Sequence, residues 1–226
     1  MESKRVVEDI HLKFKHPFNA IAAGPSGSGK TFLIRDILSY HKLTINGINK
    51  NPINVLWCYG IWQDTYNIPI ENVNFKYFDG IPEEEVIGQD IIILDDLMSE
   101  IKNSKFVIDL FTKGSHHNNQ SVIILTQNLY HKGPIVRDLN LNSHYVIIFK
   151  SPRDKMQISA LAKQIYPQYS KYFMSAYEQA THASHGYLIL DLKQDTPEDL
   201  RLKSRIIPST VTNFEFSPIG YILKNV

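Results

Sequence analysis

The chain has 226 residues, and its 24 basic and 23 acidic side chains leave a formal net charge of +1. Hydrophobic residues make up 43% and charged residues 21%, proportions that fit a folded globular protein and exclude a disordered one. The near-neutral charge argues against a protein that coats nucleic acid with its whole surface. No apolar run is long enough for a membrane span, and a single cysteine, Cys58, excludes an internal disulfide, which fits an intracellular, reducing setting.

Residues 1–226 are expected to form one domain of ordinary size. Met1–Lys15 is charged and predicts an N-terminal arm or an edge element. Phe18–Ala23 is a short apolar run that predicts a buried strand, and the apolar spacing within Thr31–Tyr40 predicts a helix. The segment between this strand and this helix is rich in glycine.

That segment matches the pattern of a Gly, four free positions and Gly-Lys-Ser/Thr, which binds the phosphates of a nucleotide. Its residues are Gly24, Pro25, Ser26, Gly27, Ser28, Gly29, Lys30 and Thr31. Glycines let the backbone turn tightly, so that successive N–H groups can point at the phosphates. Lys30 is predicted to place its charge on the β- and γ-phosphates, and the Thr31 hydroxyl is predicted to be a Mg²⁺ ligand. The following helix starts where its dipole favours a bound anion.

A second buried strand ends in two carboxylates. Ile91–Leu94 is an unbroken apolar run, typical of a parallel strand that is covered on both faces, and Asp95 and Asp96 follow it. The carboxyl ends of such strands commonly form a ligand crevice. We expect Asp95 to hold Mg²⁺, usually through water, and Asp96 to orient or deprotonate the attacking water.

A third strand of the same kind, within Ser121–Asn128, ends in a polar pair. It follows the Asp95 strand after a segment of helical length. Gln127 at its tip is predicted to reach the γ-phosphate or the attacking water and to sense hydrolysis.

Further strands and helices complete the predicted fold. Strands are predicted at Asn54–Tyr59, Phe75–Phe78, Tyr145–Lys150 and Gly186–Asp191, helices at Lys155–Tyr166 and Tyr169–Thr181, a polar loop at Asp195–Arg205 and a final edge strand at Phe214–Phe216. These elements predict a three-layer α/β fold with a largely parallel sheet in RecA-like order, and residues 185–226 form its C-terminal strands and loops.

Beyond the generic nucleotide-binding pattern, the chain resembles the poxvirus A32-type genome-packaging ATPases of the FtsK/HerA superfamily. Relatives of these proteins occur in large DNA viruses, virophages and Polinton-like or adintovirus-like elements. The resemblance covers roughly residues 15 to 165. Four features carry it, namely the glycine loop, the Asp95-Asp96 pair, Phe111–His117 running into Val122–Leu129, and Tyr145–Lys155 with its Pro-Arg-Asp turn.

One position departs from the family pattern. Where relatives often carry an arginine before the Gly-x-His-His run, this chain has Lys113. A lysine cannot make the bidentate contact to phosphate that an arginine makes. The cation that a neighbouring subunit would supply to the site is therefore left open among Arg153, Arg137 and Lys113. Arg153 ranks first because it follows the predicted strand Tyr145–Lys150 and a proline, and should project from the rim of the sheet.

The resemblance implies hydrolysis of Mg²⁺-ATP coupled to translocation of double-stranded DNA into a capsid. It further implies a homo-oligomeric ring, a partner at the capsid vertex or portal, no membrane, and a location at the site of virion assembly in the host cell or with the virion itself. Two alternatives stay open. One is an ATP-switched assembly or replication-associated protein that moves no DNA, and the other is a P-loop kinase. Asp96 and Gln127 argue against the kinase.

Overall fold

Strands and helices alternate along the chain as the apolar runs predict. The computed structural model describes residues 12–114, 118–129, 134–207 and 219–221, with 113, 114, 134–137 and 219 described by their backbone alone. The strands are β1 (Phe14–Lys15), β2 (Asn19–Ala23), β3 (Ile45–Asn46), β4 (Ile53–Tyr59), β5 (Val73–Asp79), β6 (Ile91–Asp95), β7 (Ser121–Thr126), β8 (Tyr145–Phe149), β9 (Tyr187–Asp191), β10 (Leu202–Ser204) and β11 (Ile219–Tyr221). The helices are α1 (Lys30–Ser39), α2 (His41–Thr44), α3 (Met98–Ile101), α4 (Lys105–Asp109), α5 (Pro134–Leu141), α6 (Lys155–Ile165) and α7 (Ser170–Ala180).

Within the described residues, the main sheet has nine strands in the order β11-β10-β9-β8-β2-β7-β6-β4-β5. The strands from β5 to β8 along this order all pair in parallel. The remaining strands, β9, β10 and β11, pair antiparallel and extend the sheet beyond β8. The predicted largely parallel sheet is therefore confirmed, and β7 separates the strand before the glycine loop from the strand that ends in Asp95.

Helices cover both faces of this sheet, which gives the predicted three layers. Alternate residues of the central strands belong to separate apolar clusters, so that Ile91 and Ile93 face one side while Ile92 and Leu94 face the other. Helix α1 packs against the first face, and α6 and α7 pack against the second. Burial on both faces explains why these strands have apolar runs without polar alternation.

The register brings three functional segments to one edge of the sheet. Ala23 at the end of β2 pairs with Thr126 at the end of β7, and Asp95 at the end of β6 pairs with Leu125. Because these strands are parallel, the glycine loop, the two carboxylates and Gln127 all leave the sheet at its carboxyl edge.

Some predictions of local structure were wrong. Asp195–Arg205 is not a continuous polar loop, because it contains a short 3₁₀ turn and β10, which pairs with β9. Lys203 is buried in that strand because its ammonium lies 2.6 Å from a carboxylate oxygen of Asp191, so a polar residue occupies a core position. Helix α1 begins one residue earlier than expected, at Lys30.

Other predictions concern the two ends of the chain and its cysteine. Of the predicted N-terminal arm, Phe14–Lys15 pairs with β3 in a separate small sheet. The predicted edge strand at Phe214–Phe216 lies outside the described residues. Cys58 is buried as expected, and burial raises the pKa of its thiol to about 12. No helix in the described part of the chain is long and apolar enough to cross a bilayer.

Candidate functional site

The glycine loop forms a tight connection between β2 and α1. The backbone N–H of Gly24 donates to the carbonyl of Thr126, and the N–H of Ser28 donates to the carbonyl of Pro25, each at 3.1 Å. A side chain at position 24 would place its Cβ 2.6 Å from the Cβ of Phe149, so only glycine fits there. Gly29 precedes α1 with a φ of +97° and provides no side-chain cap. The N–H groups of the first helical turn are therefore left for another acceptor, which suits a phosphate.

Lys30 extends back along this loop. Its ammonium donates to the carbonyl oxygens of Gly24 and Pro25, at 2.7 and 3.1 Å. Burial lowers the pKa of the Lys30 ammonium, and the nearby carboxylates of Asp95 and Asp96 oppose that shift. The sequence predicted this charge at the phosphate loop, and the structure holds it between the loop and the two carboxylates.

The two predicted metal ligands lie side by side. The Thr31 hydroxyl donates to Oδ2 of Asp95 at 3.3 Å, although the two residues are 64 positions apart in the sequence. Asp95 is only 4% exposed, and burial raises the pKa of its carboxyl, against the hydrogen bonds and the Lys30 charge that lower it. A divalent cation would relieve the cost of burying this charge, and a hydroxyl beside a carboxylate is a donor set that Mg²⁺ accepts. The residues present therefore fit Mg²⁺.

Tyr66 is a site residue that the sequence reasoning missed. Its hydroxyl donates to the same oxygen of Asp95 at 2.8 Å, and its ring is buried. Burial and the Asp95 carboxylate raise the pKa of Tyr66, so the hydroxyl keeps its proton and remains a donor. The residue lies in a 3₁₀ turn, Asp64–Asn67, between β4 and β5. No motif marks this turn, because the contact depends only on how the chain folds back over β6.

Asp96 and Gln127 face each other across the cavity edge. Asp96 follows β6 with a left-handed φ of +57°, which turns its side chain away from the strand and into an exposed position. The amide nitrogen of Gln127 donates to Oδ1 of Asp96 at 3.3 Å. The structure thus brings the predicted base and the predicted sensor into direct contact, and their roles in hydrolysis stay predictions.

These groups surround one open cavity of about 1000 Å³. Its lining includes Lys30, Thr31, Asp95, Asp96 and Gln127, together with Ser26, Gly27 and Gly29 of the loop. A cavity of this size falls in the range of ordinary small-ligand sites. Residues at the start of β9 and after β10 also line it, and no pattern in the sequence predicts their presence there.

Arg153 lies beside this cavity and does not line it. It is exposed in the turn between β8 and α6, and it lines a second cavity of about 670 Å³ with Gly24, Pro25 and Gln127. Asp154 caps α6 by accepting a hydrogen bond from the N–H of Gln157, which fixes the turn next to Arg153. The side chains of Lys113 and Arg137, and residues His116 and His117, lie outside the described residues.

Replacing Tyr66 by phenylalanine tests the contact to Asp95. The variant keeps the ring and loses the donor that lowers the pKa of Asp95, so we expect that pKa to rise further. Carbon-13 NMR titration of the Asp95 carboxyl measures the change. Tyr77→Phe is the matched control, because the Tyr77 hydroxyl donates to the backbone carbonyl of Tyr66 and not to Asp95. An Asp95 titration that is the same in both variants would contradict the assignment.

The chain was compared with protein-family models, curated protein sequences and solved structures. No protein-family model matches the chain, and no curated protein sequence matches it significantly. Solved structures do match. The genome packaging NTPase B204 from Sulfolobus turreted icosahedral virus 2 in complex with AMPPCP aligns with a TM-score of 0.51 at 16% identity, covering 78% of this chain and 93% of that one. The same protein in complex with ATP-gammaS aligns with a TM-score of 0.50 at 15% identity, covering 77% and 92%.

B204 from Sulfolobus turreted icosahedral virus, described as a DNA-packaging ATPase, aligns with a TM-score of 0.50 at 18% identity, covering 78% of this chain and 94% of that one. At such identities the likeness concerns the fold. At that level the chain has the fold of the P-loop NTPases, and the expected likeness to viral genome-packaging ATPases is confirmed for the fold.

Proposed function

We propose that this protein acts as a single P-loop domain that binds ATP with Mg²⁺ and hydrolyses it. The observation that supports this most strongly is the convergence of side chains predicted from three separate segments. Lys30 and Thr31 from α1, Asp95 and Asp96 from the end of β6, and Gln127 from the end of β7 line one cavity. The matching structures that carry ATP-gammaS and AMPPCP support the same ligand class.

Each side chain has one role in this proposal. Lys30 binds the β- and γ-phosphates, and Thr31 and Asp95 hold Mg²⁺, which when bound neutralises charge on the phosphates. Asp96, exposed beside them, orients the attacking water and accepts its proton. Gln127, which donates to Asp96, is positioned to contact the γ-phosphate or the water and to respond when the phosphate leaves.

We further propose that hydrolysis drives double-stranded DNA into a capsid. Support comes from the family resemblance and from B204, which is described as a DNA-packaging ATPase. A homo-oligomeric ring would gather a few lysines and arginines per subunit into one positive channel, so a net charge of +1 is compatible with DNA binding. The ring would act at a capsid vertex or portal where virions assemble in the host cell. Arg153 at the rim would complete the site of a neighbouring subunit.

The first test separates binding from chemistry. Lys30→Ala should abolish ATP binding because it removes the charge that the phosphates require. Asp96→Asn should keep ATP binding and lower turnover by about 10²- to 10⁴-fold, because an amide cannot accept the proton. Calorimetry and steady-state phosphate release measure the two effects. Asp79→Asn, an exposed aspartate at the end of β5, is the matched control. Undiminished turnover in Asp96→Asn would remove the assigned role.

The second test concerns the contribution of a neighbouring subunit. An arginine supplied in trans is worth about 10³- to 10⁵-fold in rate in P-loop enzymes. Arg153→Ala and Lys30→Ala should each be inactive alone, and mixing them should restore part of the activity, since some interfaces then pair an intact loop with an intact arginine. A co-assembled mixture that stays inactive would exclude Arg153 as the shared residue.

The third test distinguishes the motor from an ATP-switched assembly protein. A translocase contacts the DNA backbone without reading sequence, so its contacts are electrostatic and sensitive to salt. We expect turnover to rise with duplex length, to show little sequence preference and to fall steeply as salt increases. Steady-state ATPase rates against duplex length at two salt concentrations, with oligomer mass followed in parallel, measure this. A rate indifferent to DNA when the ring has formed would favour the assembly switch.

A further inference from the structure

The main cavity extends well beyond the phosphate loop. Past Thr31 it runs along one side of α1, where Phe32, Leu33 and Asp36 line it. The rest of the lining comes from the C-terminal part of the chain, where His185 and Tyr187 lie just before and at the start of β9 and Arg205 and Ile207 follow β10. In the proposed function the triphosphate binds in the half of this space that is lined by the phosphate loop, Asp95, Asp96 and Gln127. The second half lies between α1 and the C-terminal segments and has no role in the hydrolytic scheme.

We propose that this second half is a purine-nucleoside site, in which Phe32 and Arg205 contact the base and Asp36 accepts hydrogen bonds from the nucleoside. The proposal rests on the proposed binding of ATP and deepens it by assigning the residues that hold the base. It also gives a ligand-binding role to the start of β9 and to the segment that follows β10.

Backbone conformation supports this assignment. In the described residues, five residues other than glycine have a positive φ. Asn72 and Asn119 do not line the cavity, and asparagine adopts this conformation readily, as do aspartate and histidine, whereas arginine does not. The remaining three, Asp96, His185 and Arg205, have φ values of 57°, 56° and 52°, and all of them line the same cavity. Such conformations cost free energy and concentrate at ligand sites, where the surrounding structure holds them.

The surrounding structure does hold the two C-terminal positions. The Tyr187 hydroxyl accepts a hydrogen bond from the backbone N–H of Ile206 at 3.1 Å, which ties the segment after β10 to the start of β9. On the other side, His185 approaches the phosphate loop so closely that a Cβ built on Gly29 would lie 3.3 Å from its Cβ. The wall of the second half is therefore built against the loop that binds the phosphates.

The side chains that line the second half can contact a nucleobase and a ribose. Phe32 is 60% exposed on the first turn of α1 and lines the cavity, so the face of its ring is available to a ligand there. Arg205 forms no hydrogen bond or ion pair with any residue that the structure describes, and its guanidinium plane can stack on a base. Asp36 lies one turn after Phe32 and presents an acceptor to a ribose hydroxyl or an exocyclic amine. A purine offers the larger face to both the ring and the guanidinium.

The test compares ATP with inorganic tripolyphosphate, which has the phosphates and lacks the nucleoside. Phe32→Ala and Arg205→Asn should each weaken ATP binding about tenfold or more, as expected for the loss of one stacking partner, and leave tripolyphosphate binding unchanged. Asparagine is chosen at position 205 because it tolerates the left-handed backbone. Tyr169→Ala, which removes a 46% exposed aromatic ring outside the cavity, is the matched control and should change neither affinity. Calorimetric titration measures all of them.

Several results would overturn the proposal. Wild-type affinity for ATP in both cavity variants would place the nucleoside elsewhere, and equal losses for ATP and tripolyphosphate would show that the variants disturb the phosphate loop. CTP and UTP binding as tightly as ATP and GTP would overturn the purine assignment. A wild-type protein that binds tripolyphosphate as tightly as ATP would leave phosphate binding intact and exclude the nucleoside site. Failure to bind either compound would instead refute the proposed function, and with it this inference.

Discussion

The site depends on keeping one carboxylate charged inside the protein core. Asp95 is 4% exposed, and removing such a charge from water costs several kcal/mol unless hydrogen bonds and a counter-charge compensate. Two hydroxyls supply the hydrogen bonds to a single oxygen, one from Thr31 on α1 and one from Tyr66 in the turn before β5. The ammonium of Lys30 adds favourable charge. One carboxylate oxygen at the end of β6 is thereby hydrogen-bonded both to α1 and to the turn Asp64–Asn67.

The site also depends on the register of the parallel strands. Since β2, β7 and β6 end at the same level, side chains that are far apart in the sequence lie within hydrogen-bonding distance without long loops. The direct contact between Gln127 and Asp96 is a consequence of this arrangement. Any slip of β7 by one residue would exchange its two buried faces and move Gln127 out of reach, so the same packing that stabilises the sheet also sets the geometry of the site.

Much of this site could be predicted because it follows rules that act locally. The loop from Gly24 to Thr31 is constrained by tight turns and phosphate chemistry, and Asp95 follows an unmistakable buried strand. Other parts follow no local rule. Tyr66 contacts Asp95 because of the course of the loop between β4 and β5. Strand β10 was not predicted because a lysine at its centre, Lys203, is typical of a surface position, and its burial depends on the ion pair with Asp191. Contacts between such distant positions depend on tertiary packing, which periodicity and composition do not encode.

The hydrogen bonds of Lys30 to its own loop reduce the free energy that a bound phosphate can gain from this lysine. Its ammonium satisfies the carbonyls of Gly24 and Pro25, so an incoming phosphate competes with the protein's own backbone for the same donors. The affinity gained is then a difference between two sets of charged hydrogen bonds and not the full strength of one. In return, the internal competitor keeps the loop in shape and spares the ligand most of the entropic cost of ordering it. In the proposed ATPase, Lys30 thus lowers the net affinity for phosphate while it keeps the loop ordered, which would favour release of the product after each hydrolysis.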